Sequence, residues 1–220
     1  MFESKYGKLL TVILVIVVIA IIGLLGFLGY DVFKKFTTKK TAAQVAEEFE
    51  NTVTDEENTT VDNTIVAPIL NEVTNEQNTT NTETPKKVTY KGYNVVGTIE
   101  IPKIDLKYPI LERVTTKSIE VAVAVLYGPG PNQVGNTVIV GHNYRNGSFF
   151  GNNDKLEIGD KIYITDTTGN KVEYKIYNIY ETSPDDSDYM SRDTKGKREI
   201  SLSTCTDNSK ARLIIWAAEQ

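Results

Sequence analysis

Between Leu9 and Tyr30 the chain runs through about 22 residues without a single charge, LLTVILVIVVIAIIGLLGFLGY. Coiled as a helix, a run of that length crosses the ~30 Å hydrocarbon core of a bilayer. A cleaved secretory signal would have a shorter apolar section and a small-residue cleavage pattern after it. Here Asp31-Val32-Phe33-Lys34-Lys35 follows instead. The sequence therefore predicts a retained transmembrane anchor over residues 9–30, with residues 1–8 as a short N-terminal tail.

Lys5 and Lys8 precede the span, and Lys34, Lys35, Lys39 and Lys40 follow it. Counting basic residues near the ends would put the C-terminal side in the cytoplasm. The chemistry of the downstream residues points to work outside the cell. The two indications disagree, and the expectation here follows the downstream residues: a single-pass membrane protein with residues 90–220 outside the cell.

From Thr41 to Lys87 the chain is rich in Asn, Thr and Glu, as in Asn75-Glu76-Gln77-Asn78-Thr79-Thr80-Asn81-Thr82. Few aromatic residues and little periodicity leave such a stretch without enough apolar surface to order itself. Residues 31–89 are accordingly predicted to be a flexible linker, with Ala42 to Phe49 able to continue a helix for a turn or two.

The remaining residues, 90–220, are a plausible single-domain size. Strand signals are dense in them. Val95–Ile101, Thr137–Val140, Lys161–Thr165, Val172–Tyr180, Ile200–Thr204 and Arg212–Ala217 are short apolar or alternating runs. Thr167-Thr168-Gly169-Asn170 between two of them reads as a hairpin turn. Only Thr115 to Ala124 has a helical pattern, with Thr116 or Ser118 as its cap. Many short strands separated by turns predict a mostly β fold, a closed barrel.

Charge and composition narrow the chemistry. A net charge of −5 and a pI near 5.1 exclude broad nucleic-acid binding, which needs clustered Lys and Arg. One Cys and one His exclude a disulfide framework, a multi-cysteine zinc site and a histidine cluster. The same two residues remain as candidates for nucleophilic catalysis. Alternation along Ile200–Cys205 puts Ser201, Ser203 and Cys205 on the polar face, so the thiol ends a strand where a substrate can reach it. His142 follows the apolar run Thr137–Val140 through Gly141. A thiol nucleophile needs a proton carrier, and these are the two parts. Arg212 opens the last strand. If that strand forms a hairpin with the one before it, the guanidinium lies beside Cys205, where it can hold a developing oxyanion.

These residues carry a resemblance to the sortases, membrane-anchored cysteine transpeptidases of Gram-positive cell surfaces. Leu202-Ser203-Thr204-Cys205 resembles the family's TLxTC signature, with Ser201 in place of the first Thr. Val140-Gly141-His142 resembles the strand leading to its histidine, and Arg212-Leu213-Ile214-Ile215 its arginine strand. Gly97–Ile104 and Tyr108-Pro109-Ile110 are similar to its first strands. The resemblance covers nearly all of residues 90–220.

It implies a barrel of about eight strands with short helices, and a defined reaction. Cys205 attacks a Thr–Gly carbonyl in an LPxTG-like sorting signal of a secreted protein, His142 carries the proton, and Arg212 stabilises the oxyanion. Thr204 helps to position the substrate. An amine of a peptidoglycan precursor or of a pilin resolves the thioester. No cofactor and no metal enter this expectation.

Some motifs resemble class B members, although Tyr180–Arg198 is short for the helix such members insert there. Protein anchoring is favoured over pilus assembly. Asp185-Asp186-Ser187-Asp188 is read as a solvated acidic loop rather than a calcium site. Two rival readings stay open: a cysteine hydrolase using the same Cys205 and His142, and an inert tethered binding domain.

Overall fold

The structure, a computed structural model, describes residues 5–58, 87–144, 146–206 and 209–220. Helix α1 spans Lys5–Asn58. Within it Leu10–Tyr30 is long and apolar enough to cross a membrane, and its side chains are exposed. The chain divides into two compact units, Met1–Thr41 and Ala42–Gln220.

In the second unit, the end of α1 packs into the same hydrophobic cluster as the strands. Ala42, Ala46, Phe49 and Val53 are buried, and their spacing of four, three and four residues makes one helical stripe. Glu50 lies beside that stripe. It accepts a hydrogen bond from Thr98 Oγ1 at 2.7 Å and pairs with Lys107 Nζ at 3.0 Å. The expectation of a flexible segment over residues 31–89 therefore does not hold for residues 31–58, which are helical. Ala42, Ala43, Gln44, Glu47 and Glu48 are strong helix formers, and burial of the stripe fixes the helix they favour. Residues 59–86 lie outside the described residues.

Among the described residues nine strands follow: β1 Thr89–Tyr90, β2 Tyr93–Ile101, β3 Leu106–Leu111, β4 Val123–Tyr127, β5 Gly135–Val140, β6 Lys161–Asp166, β7 Lys171–Thr182, β8 Arg198–Thr206 and β9 Ala211–Glu219. Their order is β1-β2-β3-β4-β5-β8-β9-β7-β6, and β2 also pairs with β6. Strands β2 to β9 thus close into the expected eight-stranded barrel, with the two-residue β1 added beside β2. Pairs β3–β4 and β5–β8 are parallel; the others are antiparallel.

Period-two burial builds the interior. Ile99 and Ile101, Ile162 and Ile164, Tyr174 and Ile176, Ile200 and Leu202, and Ile215 and Ala217 all belong to one core cluster. A second, smaller cluster forms around Val138, Val140, Tyr189 and Ile214. Both faces of β5 are therefore covered, which explains why Val138-Ile139-Val140 is apolar without alternation. Gly97 sits where β2 shifts register between its pairings with Leu111 and Ile110. A Cβ there would lie 2.7 Å from the Thr165 carbonyl oxygen, so the close crossing of β2 and β6 requires glycine.

The helix expected over Thr115–Ala124 is not formed. Thr115 and Ser118 do make a reciprocal cap: Ser118 N–H donates to Thr115 Oγ1 at 2.9 Å, and Thr115 N–H donates to Ser118 Oγ at 2.7 Å. Helical bonds Ile119 N–H to Thr115 O and Ala122 N–H to Ser118 O follow. The turn then ends because Val123 and Ala124 pair with β3 and Ala124 and Val125 with β5, so strand pairing outcompetes helix extension.

Candidate active site

Parallel pairing of β5 and β8 brings two strand ends together. Val140 is the partner of Ser203, so Gly141 and His142 leave β5 beside Thr204 and Cys205. Three hydrogen bonds tie the segments: Gly141 N–H to Ser203 O at 3.3 Å, Thr204 Oγ1 to Gly141 O at 2.7 Å, and Asn143 Nδ2 to Cys205 O at 2.7 Å. Gly141 has no room for a side chain. A Cβ there would lie 2.9 Å from both Phe150 and Val123.

Arg212 reaches the same place from β9. The β8–β9 hairpin pairs it with Cys205, and its Nη1 donates to Cys205 Sγ at 2.8 Å. The thiol is half-buried. A guanidinium donor at the sulfur can remain with negative charge there or on a carbonyl oxygen beside it.

The three side chains line one groove of about 430 Å³. Val114, Ile119 and Leu126 give it an apolar wall, and residues 184–187 with Tyr189 and Met190 border it. Thr204 also lines the groove, but its side chain is buried and its hydroxyl proton is directed to Gly141. It therefore holds the histidine-bearing and cysteine-bearing ends in register. In the acidic loop, Asp186 accepts hydrogen bonds from Thr182 Oγ1 and from Asp188 N–H, which hold its carboxyl below the usual range.

Sequence reasoning missed three residues around His142. Glu120 Oε1 lies 3.0 Å from His142 Nε2, and its Oε2 accepts a 2.5 Å hydrogen bond from Tyr144 OH. The phenol bond, and secondarily His142, hold the Glu120 carboxyl below its ordinary value. Burial, reinforced by Glu120, pushes the Tyr144 phenol up to about 12. Asn143 is the third, through its bond to the cysteine carbonyl. Asn143 and Tyr144 directly follow the histidine and could have been flagged by adjacency. Glu120 sits 22 positions upstream in the segment read as helix, and no spacing rule links it to His142.

A family model described as the sortase domain matches residues 99–220. The chain belongs to the sortase family. A curated relative, sortase A of Bacillus anthracis, is 35% identical over 127 residues, covering 54% of this chain and 58% of that protein. The match thus spans under two thirds of that sortase. Among solved structures, a Clostridium perfringens sortase D5 transpeptidase is similar with a TM-score of 0.58 and 26% identity, over 84% of this chain and 99% of that one. A Clostridium perfringens sortase C, solved with the C-terminal cell wall sorting motif, has a TM-score of 0.51 and 27% identity, over 57% of this chain and 70% of that one.

Proposed function

We propose that this sortase is a cysteine transpeptidase in which Cys205 is the nucleophile, His142 the general acid and base, and Arg212 the oxyanion donor. The observation that carries the reading is the 2.8 Å approach of Arg212 Nη1 to Cys205 Sγ, in a groove shared with the only histidine. In the first step the Cys205 thiol gives its proton to His142 as the sulfur bonds to the carbonyl carbon of a Thr–Gly peptide in an LPxTG-like signal. The C–N bond breaks, and His142 gives a proton to the departing amine. Arg212 faces the oxygen on which negative charge develops. An amine then attacks the thioester and His142 takes its proton; the C–S bond breaks, and His142 returns the proton to the sulfur, which leaves as the thiol.

Thr204 contributes to substrate positioning through its tie to Gly141. The apolar wall of Val114, Ile119 and Leu126 suits the leucine and proline of such a signal. The donors are secreted proteins with a C-terminal sorting signal, and the acceptor is an amine of a peptidoglycan precursor or of a pilin. Residues 9–30 anchor the chain in the membrane, and residues 90–220, the catalytic domain, lie outside the cell. The sortase C solved with its sorting motif supports the substrate class.

A peptide-library cleavage assay on the full chain in detergent, read by mass spectrometry with and without an amine acceptor, tests the reading. Cleavage after Thr with the acceptor attached to the new carboxyl end is expected. Release to water alone, unaffected by amine, would favour a hydrolase. No cleavage, together with a Cys205 that resists thiol labelling in the folded protein, would favour an inert binding domain.

A further inference from the structure

The Glu120 carboxylate bridges His142 and Tyr144 and has no part in the chemistry described above. Its side chain is 58% exposed and that of His142 31% exposed. Ion pairs so open to water add little to stability. What the arrangement does supply is orientation. Tyr144 is held by its ring contact with Phe149 at 5.5 Å between centroids, and Phe149 packs on Tyr108 at 5.2 Å. Phe149 and Tyr108 are both buried, so the phenol that grips Glu120 is anchored in the barrel core. The imidazole also lies against Tyr144, with centroids 5.1 Å apart.

We infer that Glu120 is a positioning residue that fixes the His142 tautomer, holding the ring by Nε2 so that Nδ1 is the nitrogen that carries protons in the groove. An ionised carboxylate only accepts hydrogen bonds, so the proton in the 3.0 Å Glu120–His142 contact belongs to Nε2. In the neutral ring the free lone pair is then on Nδ1, and that nitrogen takes the proton of the incoming amine. When the ring is charged, Nδ1–H is the donor to the departing amine, while Nε2–H stays with Glu120. Tyr144 fills the other carboxylate oxygen and keeps Glu120 from swinging into solvent. The inference rests on the transpeptidase reading for its kinetic consequence, but not for its structural one.

His142 is the only histidine of the chain, so selective ¹⁵N labelling of the full chain in detergent gives one pair of ring-nitrogen signals. With the ring titrated to its neutral form, the wild type is expected to show a protonated Nε2 and an unprotonated Nδ1. Glu120→Ala should show tautomer-averaged signals. In kinetics, Glu120→Ala should lower kcat about 10- to 100-fold with KM within about twofold, in line with the loss of an orienting carboxylate behind a catalytic histidine. Glu120→Gln, whose amide oxygen still accepts from Nε2, should recover part of kcat, and Tyr144→Phe should show a smaller loss. A wild-type spectrum with the proton on Nδ1, or a Glu120→Ala spectrum and kcat like wild type, overturns the inference. Absence of transpeptidation in the wild type overturns the functional reading instead and leaves the spectrum to decide the tautomer.

Discussion

Removing the Phe49 side chain tests whether the end of α1 is part of the folded unit. Phe49 is 2% exposed and belongs to the barrel's core cluster, so Phe49→Ala loses its transfer free energy and leaves a cavity. Such substitutions cost about 3–5 kcal/mol. For a domain of this size each kcal/mol moves Tm by ~2–4 °C, so a drop of about 6–20 °C is expected if helix and barrel melt together. If the helix instead detaches first, the loss is capped by its docking energy and the shift falls at the lower end. Trp216, the only tryptophan, lies on β9, so its fluorescence reports the barrel while far-UV circular dichroism reports the helix. Full-length protein in detergent is melted with both probes. Glu48→Ala, on the exposed side of the same helix, is the control and should melt like wild type. A Phe49→Ala protein with unchanged transitions in both probes would refute the docking of this segment.

Three further outcomes follow from the geometry. Arg212→Ala should lower kcat/KM by ~10²-fold or more, as for loss of an oxyanion donor, with Arg212→Lys only partly restoring it; near-wild-type turnover would return Arg212 to a surface role. Arg192 pairs with Glu199 with side chains 13% and 11% exposed, and it stacks 4.2 Å from the Trp216 ring. Arg192→Ala leaves Glu199 without its cation and should destabilise the fold by about 3–5 kcal/mol, read as a lowered denaturant midpoint. The Glu219 carboxyl is held below its ordinary value first by the Arg198 backbone N–H and then by its guanidinium. A depressed carboxylate contributes stability that is present above its unfolded value and is lost as pH falls through the folded one. Glu219→Gln should therefore lower the denaturant midpoint at neutral pH and converge on wild type as pH falls, flattening part of the acid limb of a stability–pH curve.

Much of the barrel was legible because its strands announce themselves by alternation. Ile162 and Ile164, Tyr174 and Ile176, and Ile200 and Leu202 mark inward faces, and Gly169 marks the turn between β6 and β7 with φ of 80°. The segment before β4 misled for a physical reason. Thr115 and Ser118 form a true helix cap, but the β-branched run that follows pairs as a strand, a long-range preference no local window contains. The stripe Ala42, Ala46, Phe49 and Val53 was obscured in the same way, since the Asn- and Thr-rich residues after it dominate the composition of the region. In the site, His142, Cys205 and Arg212 could be found because each ends or opens a recognisable strand. Glu120 could not, because only the folding of a loop over the end of β5 brings it to the histidine.

Intact-mass analysis of the full chain mixed with an LPxTG-like peptide, quenched in acid before turnover is complete, bears on the identity of the nucleophile. A covalent adduct equal to the peptide's N-terminal part through Thr is expected, mapped to Cys205, discharged by added amine, and absent from a folded Cys205→Ala protein. Turnover that persists in Cys205→Ala, or an adduct on any other residue, would contradict Cys205 as the nucleophile.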